Sequence, residues 1–166
     1  MNITFRPVTT VLNTQRCLAH AASISLILCA MASFAALGGH QPLPPEACPQ
    51  PRFTGQAPAA LYSRVNPLPV NRPNRRAGRE LYEDLSNPGC VMCHGKQGRG
   101  DGQLAGQFDP RPRNFACAAT VDGIPDGQLF WIIKNGSPGT AMPGYGGLDV
   151  AEIWQIVAYL RSLSEQ

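Results

Sequence analysis

The sequence predicts an all-α fold: a small helical domain with long Gly/Pro-rich loops. Three observations carry this. Apolar residues recur at helical spacing from 74 to 85, and again from Asp149 to the last residues of the chain. A short apolar helix over 126–135 lies between them. The 17 Gly and 16 Pro form about a fifth of the 166 residues, which calls for long ordered loops between those helices. The chain divides into residues 1–35, 36–73 and 74–166.

Residues 1–35 have the character of an export signal. Arg6 and Arg16 are the only charges of the first 45 residues, and Cys17 to Leu37 is apolar or small apart from His20 and a few Ser. Ile24 to Met31 is the apolar core, and Ala30-Met31-Ala32 and Ser33-Phe34-Ala35 both fit a small-residue cleavage site. Cleavage after Ala32 or Ala35 is expected. The alternative is an uncleaved membrane anchor, because the 21 residues of 17–37 just span a bilayer. Leu28 before Cys29 argues against a lipoprotein site. Either way the remainder is expected in an oxidising compartment, the periplasm.

Residues 36–73 carry Pro42-Leu43-Pro44-Pro45 and Asn66-Pro67-Leu68-Pro69 and show no helical period. They read as extended or irregular chain, either a linker or an arm that wraps the domain. From Asn74, a candidate N-cap, a helix runs to Leu85, with Ala77 or Gly78, Leu81, Tyr82 and Leu85 on one face. Asn87-Pro88-Gly89 stops it. A Gly-rich loop with two prolines occupies 95–114, and Gly136 ends the helix 126–135. Asp149 and Glu152 have capping-box spacing at the start of the last helix. Its buried stripe is Ile153, Ile156, Val157 and Leu160, flanked by Trp154 and Tyr159. So small a core needs a staple or a cofactor.

The six cysteines form no dense disulfide framework. Cys90-Val91-Met92-Cys93-His94 is the informative stretch. Two thiols three residues apart share one face of a helical turn. A redox dithiol uses this spacing in a βαβ setting, which is missing. Zinc needs a second ligand pair, and past the leader only His40, Cys48 and Cys117 remain. Covalent haem needs both thiols and the adjacent imidazole, and Cys-x-x-Cys-His is its attachment signature. A sixth iron ligand is expected from Met142, in the loop Gly139-Thr140-Ala141-Met142-Pro143-Gly144-Tyr145-Gly146. A thioether there raises the reduction potential and blocks small ligands. Met92 sits inside the pentad on the wrong side, and His40 leaves a bis-His site a minor option.

Together these residues resemble a monohaem class I c-type cytochrome of the exported bacterial kind, over about residues 74–163. The resemblance rests on Gly78 and Tyr82, Cys90 to Gly95 with Gly98-Arg99-Gly100-Asp101-Gly102, the Met142-Pro143 loop, and Ile156 to Arg161. It implies one covalent haem c held by Cys90 and Cys93, with His94 and Met142 as axial ligands. It implies that Gly78 and Tyr82 of the first helix cross Ile156 and Tyr159 of the last. It also implies a backbone carbonyl, from Pro110 or Pro112, that accepts the proximal His proton, and haem propionates near Arg113, Trp131 or Tyr145. Trp131 is equally well read as core. The Pro-rich stretch and the pair Cys48 and Cys117 depart from short members of that family. In an oxidising compartment these two cysteines could join as a disulfide that pins the arm onto the domain, a hypothesis that a free-thiol count tests, since two titratable thiols would sink it.

The function implied is an exported one-electron carrier between redox partner proteins, not an enzyme, since no residue is set up as nucleophile, acid or base. Rivals are a haem c subunit of a larger periplasmic oxidoreductase and a five-coordinate haem that binds gas or peroxide. The formal charge is +3, or +1 (12 cations against 11 acids) once 1–35 are removed, and names no partner. Without a basic run interleaved with aromatics, nucleic acid is not expected as one.

Overall fold

The computed structural model describes residues 48–86 and 89–165, and every regular element among them is helical. The expected leader, 1–35, and the start of the arm lie outside the described residues. The arm carries a one-turn helix, α1 (Ala59–Tyr62), where extended or irregular chain was expected. The first long helix, α2 (Arg72–Glu83), starts earlier than the sequence suggests. Asn71 is its cap, not Asn74: the Asn71 side-chain oxygen accepts the Asn74 N–H at 3.0 Å. Pro73 in the first turn has no N–H to leave unsatisfied. The helix ends at Glu83, so Leu85 falls beyond it and is 64% exposed instead of buried.

The pentad forms α3 (Cys90–His94), followed by a 3-10 turn at Ala105–Gln107 and the short α4 (Ala118–Val121). Helix α5 (Asp126–Asn135) and its Gly136 stop lie where the sequence puts them. The last helix, α6 (Val150–Leu163), starts at the expected capping box: Glu152 accepts the Asp149 N–H at 2.8 Å while Asp149 takes the backbone N–H of Glu152.

Helices α2 and α6 cross in near contact. A methyl group added at Gly78 would sit 1.9 Å from the Gln155 carbonyl oxygen, so only glycine lets the two backbones meet. One turn on, Tyr82 is fully buried and meets Tyr159 edge-on with ring centres 5.2 Å apart. Ile153, Ile156, Val157 and Leu160 are buried as the periodicity requires, and Trp154 packs on Phe130 of α5 at 4.5 Å. Arg161 ties the end of α6 to the start of α5, donating to the Asp126 carboxylate and to the Val121 carbonyl, each at 2.8 Å.

From Cys48 onward the arm is packed chain. Cys48 and Cys117 are joined by a disulfide. The buried Gln128 side chain donates to the Gly55 carbonyl at 2.7 Å and accepts the Ala57 N–H at 2.8 Å, which satisfies an irregular segment that has no ladder of its own. Trp131 lies against Gly55 of this segment.

Gly78→Ala is expected to lower stability by about 1–3 kcal/mol through overpacking, measured as a fall in the denaturant midpoint. Replacing both Cys48 and Cys117 by Ser opens a loop of 69 residues and is expected to cost about 4 kcal/mol in a chemical melt. The wild-type protein should show no free thiol from either residue.

Candidate functional site

Helix α3 has too few turns to hold itself together, and the loop after it takes up its free carbonyls. The N–H groups of Gly100, Gly102 and Leu104 donate to the carbonyls of His94, Cys93 and Met92 at 2.8, 3.1 and 2.8 Å. Gly95 turns the chain with φ of 78°, and its carbonyl accepts the Tyr82 hydroxyl at 2.7 Å. The helix crossing thereby reaches the pentad: Tyr82, fixed against Tyr159, holds the residue after His94.

Cys90, Cys93, His94 and Met142 all line one cleft of about 870 Å³, its open mouth included. Its walls are mainly apolar, with Phe108 and Phe115 on one stretch of chain and Leu129, Ile132 and Ile133 from α5. Met142 is brought there by a closed loop. Its carbonyl accepts the Ser137 N–H at 3.1 Å, its N–H donates to the Thr140 hydroxyl at 3.2 Å, and Tyr145 N–H returns to the Ile133 carbonyl at 2.8 Å.

His94 is buried, and its Nδ1 lies 2.9 Å from the Arg113 carbonyl. A carbonyl only accepts, so Nδ1 carries the proton and Nε2 keeps its lone pair for a metal. Burial pushes the ring down to about 4, against the opposite pull of that carbonyl bond, so the imidazole is neutral at physiological pH. The acceptor is one residue past Pro112, so neither Pro110 nor Pro112 takes the role expected of them. Both still line the cleft, as do Arg113 and Tyr145, whereas Trp131 does not. Phe115 stacks on His94 with ring centres 4.6 Å apart.

Cys90 and Cys93 are the free thiols among the described residues. Burial pushes Cys90 up to about 11 and raises Cys93 as well. Reactive dithiols depend on a depressed thiol pKa, so the electrostatics run against a redox-thiol centre. Among the described residues no group of three or more His, Cys, Asp or Glu is arranged to hold a metal.

Arg52 and Arg113 both line the cleft, and among the described residues neither is ion-paired to a carboxylate. Burial lowers Arg113 to about 10, with further repulsion from Arg52. Burial also lowers Arg52, which comes from the arm, and nearby Asp109 offsets this in part. Sequence reasoning had Arg113 but not Arg52, Phe115 or the Arg113 carbonyl. The two prolines at 110 and 112 marked the right segment as extended but not which carbonyl faces the ring.

An apolar cleft with two free thiols on one wall, a neutral imidazole beside them and two arginines at its lining suits haem c, whose body is apolar and whose edge is anionic. The fold and this donor set define a c-type haem domain. The Cytochrome c family model matches residues 76–164, and the chain belongs to that family. A cytochrome c domain implies covalently bound haem c and haem-based electron transfer, and its members are typically electron carriers. Among solved structures, the chain is similar to a chain of the Kuenenia stuttgartiensis reducing HAO-like protein complex, at 30% identity and a TM-score of 0.51. That match covers 58% of this chain and 46% of the other, so the likeness spans less than half of the longer protein. The comparison with curated proteins gave no match. A c-type cytochrome domain with a disulfide suggests an extracytoplasmic location. No helix among the described residues is long and apolar enough to cross a membrane.

Gly95→Ala would place a side chain on a backbone with φ of 78° and ψ of 159° that essentially only glycine adopts, 1.9 Å from the Asp101 carboxylate, and is expected to cost about 1–3 kcal/mol, read from the denaturant midpoint.

Proposed function

We propose that the protein is an exported, periplasmic one-electron carrier with one haem c and no catalytic residue of its own. Cys90 and Cys93 would hold the haem through thioethers, His94 and Met142 would ligate its iron, and Arg52 and Arg113 would meet its carboxylates. One observation supports this most: the two unpaired thiols, the neutral His94 and Met142 line a single apolar cleft. When bound, haem supplies a ferric/ferrous couple.

The chain's own residues supply the rest. The Arg113 carbonyl fixes the ring plane and tautomer of His94, which sets its donor strength. The Ser137, Thr140 and Tyr145 bonds close the Met142 loop, so a thioether can stay in place through a change of charge. Phe115, Leu129 and Ile133 exclude water, and the low local dielectric favours the less charged, reduced state. Little needs to rearrange when an electron passes.

A second reading has support of its own. The similar solved chain belongs to a protein complex. A haem c subunit within a larger oxidoreductase would co-purify with another polypeptide, and a lone carrier would not.

The visible spectrum of the protein made with the haem-attachment machinery tests the main reading. Sharp c-type bands on dithionite reduction and a weak far-red sulfur-to-iron band in the ferric form are expected. Absence of haem would refute the roles of Cys90, Cys93 and His94. In Met142→Ala the far-red band should vanish and the reduced protein should bind carbon monoxide. Its potential should fall by a sizeable part of the ~0.8 V range that axial ligands command.

A further inference from the structure

The first described stretch of the arm, residues 48–52, holds one short loop of the domain at two points. Two residues after Cys48, the buried Gln50 accepts the Asn114 N–H on its side-chain oxygen at 2.7 Å. Its own N–H donates to the Thr120 hydroxyl at 3.0 Å. Two residues further, Arg52 donates to the Arg111 carbonyl at 2.5 Å. Segment 111–114 is thus gripped at both ends by the arm, and the Cys48–Cys117 disulfide anchors that arm.

The grip on Asn114 matters most. The Arg113 carbonyl and the Asn114 N–H belong to one peptide unit, which is planar and rigid. They point in opposite directions. On one side the unit gives its proton to Gln50, and on the other it takes the proton of His94 Nδ1 at 2.9 Å. Fixing the N–H therefore fixes the direction of the carbonyl. Acceptance by Gln50 also polarises the amide and makes its oxygen a stronger acceptor.

We infer that Gln50 is a positioning residue for the proximal histidine, acting through the Arg113–Asn114 peptide plane and held in place by the disulfide-anchored arm. The inference rests on the reading of His94 as an iron ligand. A stronger bond at Nδ1 gives the ring more imidazolate character and favours ferric iron. Gln50 therefore holds the reduction potential down.

The test uses the full holoprotein with ¹⁵N-labelled histidine. Its readouts are the His94 Nδ1–H resonance in the diamagnetic ferrous state and the midpoint potential. Gln50→Leu should shift that resonance upfield, speed its exchange several-fold and raise the potential. Gln50→Glu keeps an acceptor and should restore the resonance. Gln128→Ala loosens the arm at Gly55 and Ala57, away from segment 111–114, and should lower the melting temperature while leaving both readouts unchanged. If Gln50→Leu does not fold, the double variant Cys48→Ser/Cys117→Ser should move both readouts in the same direction. The inference is overturned if Gln50→Leu or the double variant matches the wild type, or if Gln128→Ala moves the readouts equally. A wild-type holoprotein with no resonance of a haem-bound histidine would overturn the ligand reading itself, and the role of Gln50 with it.

Discussion

The near contact of two backbones at Gly78 and Gln155 is the constraint on which the rest of the domain depends. It brings together helices that are far apart in sequence, and it sets the depth at which Tyr82 enters the core. Tyr82 then reaches the Gly95 carbonyl, and through it the end of the turn that bears both thiols and His94. A side chain at position 78 would push the helices apart and move the attachment turn relative to α5 and the Met142 loop. Packing at the crossing and geometry in the cleft are one problem, joined by a single phenol.

The cleft also shows how a small domain manages a polar requirement inside an apolar volume. The imidazole is kept neutral by burial and aimed by one carbonyl. The thioether loop closes on itself through Ser137 and Thr140 instead of leaning on a large surrounding core. Charge is confined to Arg52 and Arg113. Such an arrangement lets the interior stay dry while one edge tolerates anionic groups, which is what a buried redox group with carboxylates demands.

Much of this was legible in the sequence, for reasons that differ by element. The stripe of α6 and its capping box follow a strict period with local caps, so Ile153 to Leu160 fell where periodicity put them. The four ligand candidates stand in short motifs whose chemistry is local, and the fold brings them to one cleft. The start of α2 was misplaced because Asn71 and Asn74 are equally good caps by type, and only the backbone at Asn71 is extended. Leu85 kept the helical period but lay past the last turn. The arm was opaque because its bonds are long-range: nothing local ties Gln50 to Asn114 or Gln128 to Ala57. The choice of the Arg113 carbonyl over those of its proline neighbours likewise depends on how the loop is held from outside.

The disulfide between positions 48 and 117 closes a covalent ring. Inside that ring lie α2, both free thiols, His94 and the carbonyl that steers it. Outside it lie α5, the Met142 loop and α6, joined to the ring by packing and a single chain crossing. The two faces of the cleft therefore differ in kind. A protease nick within the ring leaves its pieces linked, while the Met142 face is tied to it covalently only through the chain leaving Cys117. Under heat or denaturant the cleft has one side that can swing away and one that remains a closed loop of chain.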